Sequence, residues 1–147
     1  MFSYNSLYMR AQPEALIREQ LAKWFQLRYP GVIPRFDLAG DLKLTMGQAT
    51  RMKRINPFRG YPDLWISEPR GGYHGMYLEI KASDVKVFKA NGELYADPHL
   101  AEQWAMIQRL RDKGYWADFG IGLEMCITKC SDYLGGKLRP NEDDVAA

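Results

Sequence analysis

The sequence predicts an α/β domain built from helices and short strands. Three observations carry this. Helical, extended and turn-rich segments alternate along a chain of 147 residues, a length suited to one domain with one core. A hydrophobic content of 46% with 13% aromatic residues favours a folded chain over a disordered one. The stretch from Gly60 to Ala82 also has the pattern of a β-hairpin: a run rich in Leu, Trp and Ile, the turn cluster Pro69-Arg70-Gly71-Gly72, then an apolar run from Met76.

The elements follow in order. Residues 1–12 form a leader and Pro13 opens a helix to Arg28, proline being tolerated in a first turn. Ile17, Leu21, Trp24 and Phe25 make its buried stripe. Glu14 projects along that stripe, where a carboxylate is costly unless it is paired or bound to a metal. A first-turn acid also complements the helix dipole, and the residues leave both roles open. Glu19, nearly opposite Ile17, is a more distant candidate. From Arg35 to Arg59 the chain is locally basic, with a short helix expected over residues 48–55 and Thr45 as a possible N-cap. Arg51, Lys53 and Arg54 there are candidates for phosphate contact, which gives affinity without sequence preference.

The hairpin strands are expected over residues 62–67 and 76–82. Alternation places Tyr77, Glu79 and Lys81 on one face and Leu78, Ile80 and Ala82 on the other. Antiparallel pairing would bring Asp63 beside Glu79 and Lys81. Two carboxylates are hard oxygen ligands suited to Mg²⁺ or Mn²⁺, and a lysine beside them can orient water or stabilise charge on a phosphate. An exposed Glu-Lys pair with an Asp opening a strand would have the same local sequence.

Residues 83–95 are charged, with Asn91-Gly92 as a hairpin turn and Lys86 and Lys89 as further phosphate-contact candidates. Asp97-Pro98 caps a helix that Gly114 stops after Lys113. Gln103 falls on its buried face with Ile107 and Leu110. A strand over residues 115–121 and a helix over residues 123–134 complete the domain, which is expected to span residues 13–136 before an acidic tail at residues 137–147. Cys126 and Cys130 share a helix face, but two thiols are too few for a zinc site. His74 and His99 have no matching spacing, so both cysteines are expected to act as small apolar side chains.

Gly60-Tyr61-Pro62-Asp63-Leu64 followed by Tyr77-Leu78-Glu79-Ile80-Lys81-Ala82 resembles the PD-(D/E)xK nuclease superfamily, and more closely its small stand-alone VRR-NUC branch known from phages and bacteria. The resemblance runs from about Glu14 to Gly135 and includes the Arg51-Met52-Lys53-Arg54 segment, His74-Gly75 and Glu102-Gln103. It implies a compact restriction-endonuclease-like core, a small mixed β-sheet flanked by helices, and a metal-dependent DNA endonuclease. Asp63, Glu79 and the Ile80 carbonyl would hold Mg²⁺ or Mn²⁺ and Lys81 would position the hydroxide, with Glu14 and Gln103 in support. It further implies a homodimer acting on branched DNA such as four-way junctions. A flap or single-strand nuclease and a non-catalytic nucleic-acid-binding module are the alternatives. The sequence departs from the family at Arg18, where relatives often carry Gln, and in the length of the 83–95 segment.

A net charge of +2 places any DNA-binding surface in local patches. With two cysteines, no apolar core of signal-peptide length and no membrane-length apolar run, the expected setting is the cytoplasm.

Overall fold

The computed structural model describes residues 11–140. The secondary elements are helix α1 (Glu14–Arg28), strand β1 (Pro34–Phe36), a 3₁₀ turn (Ala39–Asp41), α2 (Met46–Ile55), β2 (Leu64–Ile66), β3 (Met76–Lys81), α3 (Pro98–Asp112), β4 (Trp116–Ile121) and α4 (Gly122–Leu134). The four strands form one sheet in the order β1-β2-β3-β4. The first two pairings are antiparallel, and β3 pairs with β4 in parallel through the α3 crossover. The sheet is therefore mixed.

The alternation along β3 sorts two cores. Leu78, Ile80 and Met76 join Leu64 and Ile66 of β2 beneath α1 and α4, which contribute Ile17, Leu21, Phe25, Cys126, Cys130 and Tyr133. Tyr77 joins Ala117 and Phe119 of β4 beneath α3, which contributes Leu100, Met106, Ile107 and Leu110. Residues that alternate along one strand thus feed two helical layers. Val87 and Phe88 add to the α3 side: Val87 is buried, and Phe88 meets the Trp104 and Phe119 rings edge-on. The Asn91-Gly92 turn closes a hairpin in which Phe88 bridges Leu94. Gly92 there has φ +85°, a conformation that a side chain would strain.

Local chemistry explains the element ends. Thr45 and Gln48 form a reciprocal capping box on α2, which begins two residues earlier than the sequence pattern suggests. Asp97 caps α3 by accepting from the His99 amide, with Pro98 in the first turn. Pro13 precedes α1 without a side-chain cap. The leader's Gln12 is tied down: its amide donates to Ser83 Oγ at 2.7 Å, and its side-chain oxygen accepts from the Leu123 amide at 3.1 Å. The rest of the leader up to residue 10, and the Asn141-Glu142-Asp143-Asp144 run, lie outside the described residues. Leu138, beyond Gly135-Gly136, packs against the α1/α4 core.

Strand β1 corrects the sequence reading. Arg35, placed there in a basic connector, lies on a three-residue strand paired with Trp65 of β2. A strand this short carries too little alternation to be read without its partner.

Both cysteines are free and fully buried. Burial pushes the Cys126 thiol up to about 12, and Cys130 well above its ordinary value. Thiolate is the reactive form, so native protein is expected to resist labelling by a disulfide reagent such as DTNB, whereas guanidinium-unfolded protein labels at both positions. Rapid labelling of folded protein would contradict the packing of α4.

Candidate active site

The site begins with Asp63, one residue before β2. Its Oδ2 accepts from the Ile80 amide at 2.9 Å, which fixes the carboxylate against the C-terminal half of β3. Glu79, next to Ile80 on the strand, is 4% exposed, and Lys81 is 6% exposed. The Lys81 ammonium lies 3.9 Å from Glu79 Oε1. Gln103, on the inner face of α3, donates to the same Glu79 oxygen at 2.6 Å. The Gln103 nitrogen also lies 3.2 Å from His99 Nε2. Asp63, Glu79, Lys81 and Gln103 therefore meet in one cleft of about 280 Å³, which Glu14, Arg18, Asp41, Gly60, Tyr61 and His99 also line.

Arg18 is the residue here that sequence reasoning noted only as a departure. Its guanidinium is buried, bonds to Asp41 and stands 3.7 Å from Glu14 and 3.9 Å from Asp63. One cation thus faces three carboxylates. The available signal was the i, i+4 spacing from Glu14, which puts the two on one helix face. Asp41 arrives from the 3₁₀ turn, and nothing local announces it. Glu14 faces the cleft and Glu19 is exposed outside it. Arg51, Lys53 and Arg54 are exposed on α2; Lys53 lines a second, larger groove beside the cleft. Lys86 and Lys89 are exposed on the hairpin and do not line the cleft, and the Lys89 ammonium lies 6.0 Å from the Tyr95 ring.

Electrostatics make the carboxylates an uneasy pair. Burial pushes both acids up, and their mutual repulsion raises Glu79 further, against the pull of Lys81. The Ile80 amide and Arg18 hold Asp63 lower than burial alone would. The pair retains a proton at neutral pH unless a cation joins it. Among the described residues, no three His, Cys, Asp or Glu side chains are grouped to hold a metal on their own. The donors present nonetheless fit a hard divalent ion. Glu79 Oε2 and Gln103 Oε1 are buried oxygens without hydrogen-bond partners, and Mg²⁺ commonly takes only one or two carboxylates and keeps water in its remaining positions.

Gly60 sets the distance between the hairpin and α3. Its φ is +73°, and a Cβ there would lie 2.5 Å from the Glu102 carbonyl oxygen and 2.8 Å from the Gln103 amide. Gly60→Ala is expected to push back the helix turn bearing Gln103. The expected result is a lower melting temperature and a loss of cleft activity out of proportion to the lost stability. Unchanged melting and activity would show that the close approach is not needed.

No family model matches the chain, and no curated protein matches it. Among solved structures, one match is a "VRR_NUC domain protein", with TM-score 0.62 and 24% sequence identity over 87% of this chain and 93% of that one. The mixed sheet between helices is thus a restriction-endonuclease-like α/β core. Within that class, the chain has the VRR-NUC fold.

Proposed function

We propose that this chain is a divalent-metal-dependent DNA endonuclease that hydrolyses phosphodiester bonds, with Asp63, Glu79 and Lys81 as its working centre. The observation carrying this reading is the convergence of a buried carboxylate, Glu79, a half-buried one, Asp63, a buried ammonium and a buried glutamine in one open cleft. Burying these groups lowers stability, and packing alone gives no reason to assemble them. Asp63, Glu79 and the Ile80 carbonyl would hold Mg²⁺ or Mn²⁺. When bound, the ion supplies Lewis-acid polarisation of the phosphoryl group and a lowered pKa for water. Lys81 binds the attacking oxygen's side of the phosphate and offsets charge as it develops there. Gln103 orients Glu79 through its 2.6 Å hydrogen bond to Oε1, and Oε2, which has no hydrogen-bond partner, would be the oxygen offered to the ion. Glu14 adds negative charge at the cleft mouth, and Arg51, Lys53 and Arg54 on α2 meet the DNA backbone.

The substrate reading is branched DNA, such as a four-way junction, cut by a homodimer whose paired sites address opposing strands. Incubation with Mn²⁺ or Mg²⁺ and a panel of duplex, single-stranded, flap and four-way-junction DNA tests it. Junction cleavage that stops with EDTA is the expected result. Preference for flaps or single strands would move the substrate reading; binding without cleavage under either ion would replace the enzyme with a binding module. No helix among the described residues is long and apolar enough to cross a membrane.

A further inference from the structure

We propose that the groove beside the carboxylate cleft is a stacking site for unpaired nucleotides, so that the chain grips single-stranded nucleic acid by its bases as well as its phosphates. The inference rests on the nuclease reading for its purpose, although the binding itself is measured without any cleavage. The groove encloses about 1050 Å³ and joins the cleft, for Asp37, Tyr61 and Asp63 line both. Its walls carry the rings of Phe36, Phe58, Tyr61 and Trp65 and the cations Arg35 and Lys53.

The rings are exposed yet held in place. Phe58 is 60% exposed, Tyr61 49% and Trp65 40%. Trp65 lies parallel to the buried Tyr77 ring at 6.1 Å and is paired across the sheet with Arg35 of β1 on its other side. The Tyr61 hydroxyl is 2.9 Å from that of Tyr77, with the two rings edge to face. Arg109 sits 5.0 Å from the centre of the Phe58 ring. Rings anchored in this way lose little rotamer freedom when a ligand stacks on them. Helix α2 forms one flank and buries none of its residues, so its cations serve no core.

An aromatic groove lined with cations complements a polyanion with π-faces, the pairing used by single-strand binders. Position strengthens the match. Trp65, the middle residue of β2, is two residues from Asp63, which directly precedes the strand, a separation of about 7 Å along extended chain. A base on Trp65 would therefore leave a neighbouring phosphate near the carboxylates.

The test uses the intact chain in EDTA, with fluorescein-labelled oligo-dT of twelve nucleotides and an abasic twelve-mer of equal charge as probes. Fluorescence anisotropy is expected to show oligo-dT binding at least about tenfold tighter, the scale of one base stacking on one ring. Trp65→Ala and Phe58→Ala should each remove most of that advantage while leaving the abasic affinity in place. Trp65→Phe, which keeps a ring, should restore it and guards against a folding defect. Equal affinity for the two probes would overturn the inference, leaving phosphate contact alone. It would equally be overturned if sedimentation found a dimer that Phe58→Asp dissociates, because the groove would then be a face between copies. Failure to cleave in Mn²⁺ with ring-dependent binding intact would sink the nuclease reading and leave this one standing.

Discussion

Lys81→Ala is expected to lower DNA cleavage by at least about 10²–10³-fold, with DNA affinity changed by no more than about threefold. The ammonium is buried, and its backbone is locked by the parallel register that pairs Lys81 with Ile121. No other lysine lines the cleft, and Arg18 is already engaged by carboxylates. Lys81→Arg should fail almost as badly, because a planar guanidinium does not fit the space of a compact ammonium. Asp63→Asn is a cleaner companion than alanine, since an amide oxygen can still accept from the Ile80 amide while the charge is gone. Lys81→Ala and Asp63→Asn should melt close to the parent and bind junction DNA in EDTA. Cleavage by Lys81→Ala at near-parent rates would remove that residue from the chemistry. Survival of activity in both variants would locate the reaction elsewhere.

The second large effect is on stability. Both site carboxyls are raised above their ordinary values, so the folded chain holds more protons than the unfolded chain across the window between them. Stability from this pair is fully present below the ordinary carboxylate range. It is lost as pH rises through about 6 for Asp63 and about 9 for Glu79. Metal-free protein should therefore melt at progressively lower temperature from pH 5 to pH 9 on account of these two groups. Mn²⁺ should raise the melting temperature more at pH 8 than at pH 5, because bound cation replaces the missing proton. Glu79→Gln should flatten the pH dependence and abolish most of the Mn²⁺ effect. Arg18→Met should act in the opposite sense, lowering the melting temperature at neutral pH as Asp41, Glu14 and Asp63 lose their counter-charge, an effect that water softens because Asp41 and Glu14 are partly exposed. Calorimetry across pH, with and without Mn²⁺, reads all three. A parent curve that stays flat between pH 5 and pH 9 would show that the carboxyls are better solvated than their burial indicates.

Much of the site was legible because it obeys local periodicity. Alternation alone put Glu79 and Lys81 on one face, and the turn cluster at Pro69-Gly72 made their strand return past Asp63. The 3.6-residue repeat placed Gln103 with Ile107 on the inner side of α3, where it is 5% exposed. The caps at Thr45 and Asp97 and the stop at Gly114 were readable for the same reason: each depends on residues within a few positions.

What the sequence determined by itself is the type and facing of the main elements, since those follow from spacing within one helix or strand. Only the tertiary structure decided that Arg18 meets Asp41, that β1 completes the sheet, and that Phe36 joins Phe58, Tyr61 and Trp65 in a groove beside the carboxylates. Those contacts link positions tens of residues apart. A periodic pattern states which way a side chain points but not what it will face, so the partner is settled only when the layers pack.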